Sequence, residues 1–521
     1  MDLKNSVLGI EFGSTRIKAV LLGENRKPIA SGGFTWENKL IDGIWTYDLE
    51  DIHKGMQVCY ADLKKNFEAE YNIPLTEVGA IGISGMMHGF LPFDKDMNLL
   101  TRFRTWRNTI TANAAEILSK EFNFNIPQRW SVAHLYEEVL NNAPYINDIS
   151  FFTTLAGYIH YLLTGNKVLG IGEASGMFPI DSNILNYNNE FTVKFNNLTS
   201  NYNIDWKIED ILPKVLVAGE NAGYLTEEGA ALLDLSGDLK AGIPFAAPEG
   251  DAGTGMVATN SVRVNTGNVS AGTSIFAMVV TEKMPKMHRE IDMVTTPSGL
   301  PVAMAHCNNC TSDINGWVNL FAQFYKIMGQ EVDMGKIYET LFKSALNGDV
   351  DCGGLLSYNY LSGEGITDLD SGVPVFLRLA DSKFSLENFI RTHIYSAFAT
   401  LKIGIYLLLK EGVKIDKLYG HGGLFKTPEV AQRFLSAAMS TPVTTMETAG
   451  EGGPYGMALL AAYLLDKEKM TLEEYLENKI FADAKSNEIM AESEEIEGFE
   501  KFLNFYKKNF AVEKAAVDSL E

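Results

Sequence analysis

The chain has 521 residues, 46% of them apolar, with 44 basic against 66 acidic side chains and a formal net charge of -22. Such a length exceeds what one hydrophobic core supports and predicts two large lobes, while the acidic excess argues against a nucleic-acid footprint or attraction to anionic lipid. Four cysteines give no disulfide framework, and the longest apolar runs, residues 403–409 and 457–465, fall short of a membrane span, so a cytoplasmic protein without a membrane partner is expected.

Residues 7–22 (VLGIEFGSTRIKAVLL) run apolar up to Glu11, turn, and then alternate, which predicts a β-hairpin with Gly13, Ser14 and Thr15 at its tip. Residues 48–71 have helical spacing and 78–83 read as a buried strand. The loop Gly85-Met86-Met87-His88-Gly89 follows, and its position after a strand leaves His88 open as a structural or a substrate-contacting histidine. Trp106-Arg107-Asn108 precede a helix over 112–122. A short apolar helix over 155–164 ends at Gly165, residues 172–177 read as a small-residue loop, and 183–203 as an Asn-rich surface insertion. At 248–256 (PEGDAGTGM), Asp251 stands among small residues at a helix start, fit either to cap the helix or to meet a ligand brought close to the backbone.

Residues 263–280 repeat the hairpin pattern, now with Gly272, Thr273 and Ser274 at the turn. Two such turns offer backbone N–H groups and hydroxyls that bind phosphate without net positive charge. Cys307 and Cys310 form a C-x-x-C without a second pair and read as buried small hydrophobes. Helices are expected over 315–327, 332–346 and 389–409, with a strand and loop over 355–364. Residues 417–423 read as a strand entering Gly420-His421-Gly422-Gly423, with a helix over 429–439 after it. The loop 447–454, with Gly450, Glu451, Gly452 and Gly453, precedes a helix over 455–465. Glycine-rich loops before helices suit a nucleotide's base and ribose lying flat on backbone, or else close helix packing. The acidic stretch 482–521 has helical spacing around Phe499, Phe502, Phe505 and Phe510.

In this order the motifs resemble those of the FGGY carbohydrate kinases, nearest the xylulokinase-like members, over almost the whole chain. GIEFGSTRIKAVLL resembles the first phosphate motif, GISGMMHGF the sugar-contacting loop and LLTGNKVLGIGEASGMFPID the mid-domain motif. EGDAGTG resembles the catalytic segment, TGNVSAGTS the second phosphate motif, and YGHGG with AGEGGPYGMALLAA the adenosine motif. The resemblance implies an α/β fold of two actin-like, ribonuclease-H-like lobes around an ATP and sugar cleft. Residues 1–258 would form the sugar-binding and catalytic lobe, and 259–521 the nucleotide-binding lobe with its acidic helical tail. It further implies ATP- and Mg²⁺-dependent phosphorylation of a terminal hydroxyl of a ketopentose, xylulose first. Ribulose is the alternative substrate, and a non-catalytic ATP-binding sugar sensor the alternative class.

By that resemblance Asp251 is the general base and also contacts the sugar together with Met87, His88, Trp106 and Asn108. Gly13, Ser14, Thr15, Gly272, Thr273 and Ser274 meet phosphate, and Gly422, Gly423, Gly450, Glu451, Gly452 and Gly453 meet adenosine. Glu11 is the metal residue. Three positions depart from the family pattern: Glu11 where Asp is usual, Met86 for Gln, and Asn108 for Asp. The partners implied are a small sugar and ATP, with a homodimer left open.

Overall fold

The computed structural model describes residues 2–446, 452–466 and 470–520. Its contacts divide the chain into two compact units: Met1–Val262 with Asp292–Val302 and Glu451–Asp483, and Arg263–Ile291 with Ala303–Gly450 and Ala484–Glu521. These units differ from the single cut expected after residue 258 in that two later segments return to the first unit.

In the first unit, β1 (Val7–Phe12), β2 (Arg16–Leu22) and β3 (Pro28–Thr35) form an antiparallel meander, so the first expected hairpin is present. Helix α1 (Leu49–Tyr71) and strand β4 (Ala80–Gly85) follow. Further along come helices α2 (Leu155–Thr164) and α3 (Ile171–Ser175), strands β5 (Asn221–Tyr224), β6 (Pro244–Ala246) and β7 (Glu249–Gly250), and helix α4 (Asp251–Ala258). The sheet runs β5-β6-β4-β1-β2-β3 with β7 beside β4, and β4 is parallel to β1, β6 and β7.

Successive residues of a strand face opposite sides of the sheet. On one side Gly9 of β1 and Gly82 of β4 lie in register, and a Cβ on Gly9 would stand 2.1 Å from the Pro454 carbonyl oxygen. The helix Gly452–Asp466 therefore lies directly on these strands, which is why its segment belongs to the first unit. The opposite side carries Gly32 of β3, where a Cβ would meet the Cys59 carbonyl of α1 at 2.4 Å. Glu11, two residues beyond Gly9, shares the Gly9 side and reaches the beginning of the helix Gly452–Asp466.

The residues 172–177 expected as a loop contain helix α3. Its glycines have another use: a Cβ on Gly170 or Gly172 would stand 2.3 and 2.5 Å from the Glu249 carboxylate.

In the second unit, β8 (Thr266–Ala271) and β9 (Ile275–Val280) form the second expected hairpin. After them come β10 (Pro301–Cys307), helix α5 (Thr311–Ile327), the long helix α6 (Leu386–Lys410), β11 (Lys417–His421), helix α7 (Val430–Met439), β12 (Val443–Met446) and β13 (Ser486–Ile489). Sheet order is β10-β9-β8-β11-β12-β13, with β8 parallel to β11 just as β1 is parallel to β4. Helix α6 is long and apolar enough, by length and composition, to cross a membrane, contrary to the short runs read from sequence. Most of that window, 78%, is buried as core. The tail folds as helices Ser493–Lys508 and Phe510–Leu520, with Phe499 and Phe502 edge-on to Tyr395 of α6. Cys307 and Cys310 are buried free thiols.

Candidate active site

Three strand ends of the first unit meet in register. Glu11 of β1 and Glu249 of β7 each pair with Ser84 of β4, so two carboxylate residues flank one hydroxyl at the carboxyl ends of parallel strands. Open α/β sheets place ligands at such ends. β7 stops at Gly250, which takes the helix-capping position, and Asp251 becomes the first residue of α4. Asp251 Oδ1 accepts hydrogen bonds from the N–H of Met87 at 3.3 Å and of Ala252 at 2.9 Å. A Cβ on Gly250 would stand 2.3 Å from Met87 Cγ and 2.4 Å from Glu173 Oε2, so this glycine admits both side chains beneath the base. The hydroxyls of Ser84 and Thr254 lie 3.1 Å apart and tie β4 to α4.

Burial is the first cause of the raised proton affinity of all four carboxyl groups here. Asp251 and Glu11 keep partial access to solvent, whereas Glu173 and Glu249 are buried. Burial pushes the Asp251 carboxyl up to about 6, partly offset by the Met87 and Ala252 N–H groups. Glu11 is pushed up to about 7 by burial and then by the Asp251 charge, against the pull of Lys18. Glu249 goes up to about 8 through burial, although its oxygens accept from the N–H groups of Gly172 at 3.3 Å and Glu173 at 2.9 Å. Glu173 is raised well above the carboxylate range by burial, with Asp251 and Glu249 adding to the rise. Neither Glu173 oxygen has a hydrogen-bond partner, and among the described residues no cation pairs with it. Proton affinity thus increases from Asp251 through Glu11 to the buried pair, which makes Asp251 the first of the group to ionise.

The expected sugar residues fall into two kinds. His88 is buried in the left-handed region at φ 68°, with Nδ1 2.9 Å from the Gly176 carbonyl oxygen and its ring stacked on Trp130. A carbonyl only accepts, so Nδ1 carries the proton and Nε2 keeps an acceptor lone pair. Burial, then the Arg129 charge, pushes this imidazole down to about 3, and it is neutral at pH 7. Met87 is buried and linked to Asp251 through its N–H. Asn108 differs from expectation. Its Oδ1 accepts from Trp45 N–H at 2.9 Å and its Nδ2 donates to the carbonyls of Trp45 and Thr105, so this amide is spent on backbone. Trp106 is 39% exposed, and its Nε1–H donates to Ser14 Oγ at 3.0 Å.

Each unit carries one of the expected phosphate turns. In the first, the carbonyls of Gly13, Ser14 and Thr15 accept from Trp36 Nε1–H, the Tyr47 hydroxyl and Trp36 N–H. In the second, the Gly272 carbonyl accepts from the N–H and hydroxyl of Thr311, and that of Thr273 from Cys310 N–H. The N–H of Gly13 donates to the Arg16 carbonyl at 3.1 Å and that of Gly272 to the Ser274 carbonyl at 2.9 Å, so these two glycine amides are spent within their turns and an anion would have to be met by the residues that follow them; the second turn also adjoins the start of α5. The His421-Gly422-Gly423 turn is packed close by. Gly422 adopts φ 100°, and a Cβ there would lie 2.5 Å from the Ala271 carbonyl oxygen. Phe425, just after it, joins Thr427, Gln432, Thr445, Met446 and Asn487 around a cavity of about 410 Å³. Gly450 and Glu451 lie outside the described residues. Gly452 and Gly453 sit in the first unit, where a Cβ on Gly453 would stand 2.3 Å from Glu11 Oε1.

Sequence reasoning did not single out Glu173 and Glu249. Their signal, two acids in otherwise small-residue motifs, acquires meaning only when α3 and β7 are seen to touch.

Residues 6–258 match the N-terminal domain, and residues 267–465 the C-terminal domain, of the FGGY family of carbohydrate kinases. A xylulose kinase of Haemophilus influenzae is 25% identical over 468 residues, which span 86% of this chain and 89% of that protein. The solved xylulose kinase of Rhodospirillum rubrum has a TM-score of 0.79 at 16% identity, with 97% of this chain and 98% of that one covered. A gluconate kinase of Lactobacillus acidophilus gives 0.78 at 18%, again with 97% and 98% covered. The structural likenesses establish an actin-like, ribonuclease-H-like fold and carry no substrate.

Proposed function

The chain belongs to the FGGY family of carbohydrate kinases, and on that premise we propose that it phosphorylates a terminal hydroxyl of a ketopentose, xylulose first, at the expense of ATP. The observation that carries this reading is Asp251: a carboxylate at the head of a helix, reachable by solvent, oriented by Met87 N–H and set beside a neutral histidine.

In the proposed reaction Asp251 takes the proton of the sugar hydroxyl. The oxygen forms a bond to the γ-phosphorus of ATP, the bond from that phosphorus to the β-phosphate oxygen breaks, and ADP leaves. His88 Nε2 accepts a hydrogen bond from a neighbouring sugar hydroxyl, and the ring of Trp106 offers an apolar surface. Ser14 and Thr15 in one unit and Thr273 and Ser274 in the other supply phosphate donors. Gly422 and Gly423, beside the cavity, suit the adenosine, with Gly450 and Glu451 kept in that role from the motif. Gly452 and Gly453 are better placed to bound the space around Glu11. Among the described residues no hydrogen-bond donor is seen on the half-buried Glu11 carboxylate, so it fits a hard cation held directly or through water. Mg²⁺, when bound there, would offset charge on the phosphoryl oxygens.

Ribulose remains the second reading. Asn108 is engaged by Trp45 backbone, so no free amide at that position selects between the two pentuloses.

ADP release is to be measured with ATP and Mg²⁺ across D- and L-xylulose, D- and L-ribulose, glycerol and gluconate, with Asp251→Asn alongside. Rapid turnover with one xylulose, abolished in the variant, supports the proposal. Turnover with ribulose instead selects the second reading. Sugar-independent ligand binding preserved without any turnover in the wild type would sink the kinase assignment in favour of a sensor.

A further inference from the structure

The first phosphate turn is held in a way that the second is not. Trp36 and Tyr47 are buried, their rings stack with centroids 4.1 Å apart, and between them they occupy the carbonyls of Gly13, Ser14 and Thr15. The remaining donor is Trp106, whose Nε1–H reaches the Ser14 side chain at 3.0 Å while its ring stays 39% exposed. Trp106 is itself anchored on both sides. Thr105 N–H donates to the Trp45 carbonyl at 3.1 Å, and the Asn108 amide bridges both backbone groups of Trp45. The second turn, at Gly272 and Thr273, is clamped by Thr311 and Cys310, and among the described residues no side chain from a sugar-contacting segment bonds to it.

An indole N–H only donates, so Ser14 Oγ must accept from it. The hydroxyl's own hydrogen is then left to donate elsewhere. A serine without that donor can turn its oxygen toward the ligand, and oxygen facing a phosphate oxygen is repulsive.

We propose that Trp106 is a positioning residue for phosphoryl transfer: its indole N–H fixes the Ser14 hydroxyl as a phosphate donor and links the acceptor-contacting segment to the first phosphate turn. The link rests on the kinase reading above, in which Trp106 also meets the sugar. With Trp106 in place, the serine is oriented before nucleotide arrives, and a sugar resting on the indole steadies that orientation.

The decisive substitution replaces Trp106 with 3-benzothienylalanine, which keeps the bicyclic ring and removes the N–H. It is compared with Trp106→Phe, Ser14→Ala and the two doubles. One hydrogen bond to a charged ligand suggests a change of about ten- to a hundredfold in kcat/KM for ATP. The expected result is that loss in the benzothienyl variant and in Ser14→Ala, no further loss when the two are combined, and an unchanged KM for sugar in the benzothienyl variant. Calorimetric affinity for a non-hydrolysable ATP analogue follows the same pattern. Multiplicative losses in the double variant, or an unaltered ATP response in the benzothienyl variant, overturn the proposal. Failure of the kinase reading is visible separately, as no sugar-dependent turnover in the wild type, and the calorimetric arm still decides the Trp106–Ser14 coupling. If Ser14→Ala fails to fold, Ser14→Cys takes its place, because a thiol is a poor partner for both the indole and phosphate.

Discussion

The two units use one sheet plan and furnish it differently. Each begins with a hairpin whose first strand runs parallel to a later strand, β1 with β4 and β8 with β11. Where β1 and β4 end, the paired residues are Glu11 and Ser84, with Glu249 and Asp251 beyond them; where β8 and β11 end, they are Ser270 and His421. His421 is pushed down to about 4 by burial and stays neutral, so among the described residues this pair of strand ends carries no carboxylate like Glu11. The difference teaches that one sheet plan can carry different side chains at its strand ends: in the proposed function, proton transfer falls to the first unit, where the carboxylates are.

The sharpest way to break this contrast is at Asp251. Asp251→Asn removes the base and should lower kcat by about 10²- to 10⁴-fold with binding retained, as steady-state turnover and calorimetry would show. The same carboxylate sets the acid limb in the wild type. Because the base works ionised and lies at about 6, kcat/KM should fall about tenfold per unit as pH drops below that value, and a flat profile down to pH 5 would contradict the assignment.

A smaller effect is expected at Gly453. A Cβ there collides with Glu11 Oε1, so Gly453→Ala should displace that carboxylate, cost about 10²-fold in turnover and raise the Mg²⁺ requirement. Less again is expected at Gly422, whose φ of 100° and contact with the Ala271 carbonyl act on the nucleotide side alone. Gly422→Ala should cost about 1–3 kcal/mol of local strain, appearing as a higher KM for ATP with the KM for sugar unchanged.

The gentlest test is Glu173→Gln. A buried acid whose folded proton affinity is raised gives stability that is full below the ordinary carboxylate range and is lost as pH rises toward the folded value. The amide cannot ionise. Glu173→Gln should therefore melt increasingly above the wild type between pH 5 and pH 8, and an advantage that shrinks with pH would mean Glu173 is ionised and paired in the native state.

Both hairpins were legible from the sequence because alternation and a Gly-Ser-Thr or Gly-Thr-Ser turn are local signals. So were the helices Ala112–Phe122 and Leu155–Thr164, the latter closed by Gly165 in the left-handed conformation. Helix α3 was not. Its five residues are held at their start by the Glu249 carboxylate, a partner distant in sequence, and the glycines that suggested a loop admit side chains from elsewhere, Glu249 at Gly172 and His88 with Met87 at Gly176. Asp251 stood out by its small neighbours, whereas its proton affinity is raised by burial and partly offset by the Met87 N–H, both of which only the folded chain brings to it. Asn108 shows the opposite limit: its residue type suits sugar recognition, and only the structure reveals an amide already occupied by Trp45.

Gly9 also imposes an order on synthesis. The helix that covers β1 and β4 is made from residues 452–466, after almost all of the second unit has left the ribosome. The face bearing Gly9 and Gly82 stays uncovered until then, so the nascent N-terminal half must wait, exposed, for a helix made late in the chain. Cutting the chain near residue 262 to obtain a smaller catalytic fragment would yield a sheet without its cover, which makes the gene's two halves separable on paper and inseparable in the cell.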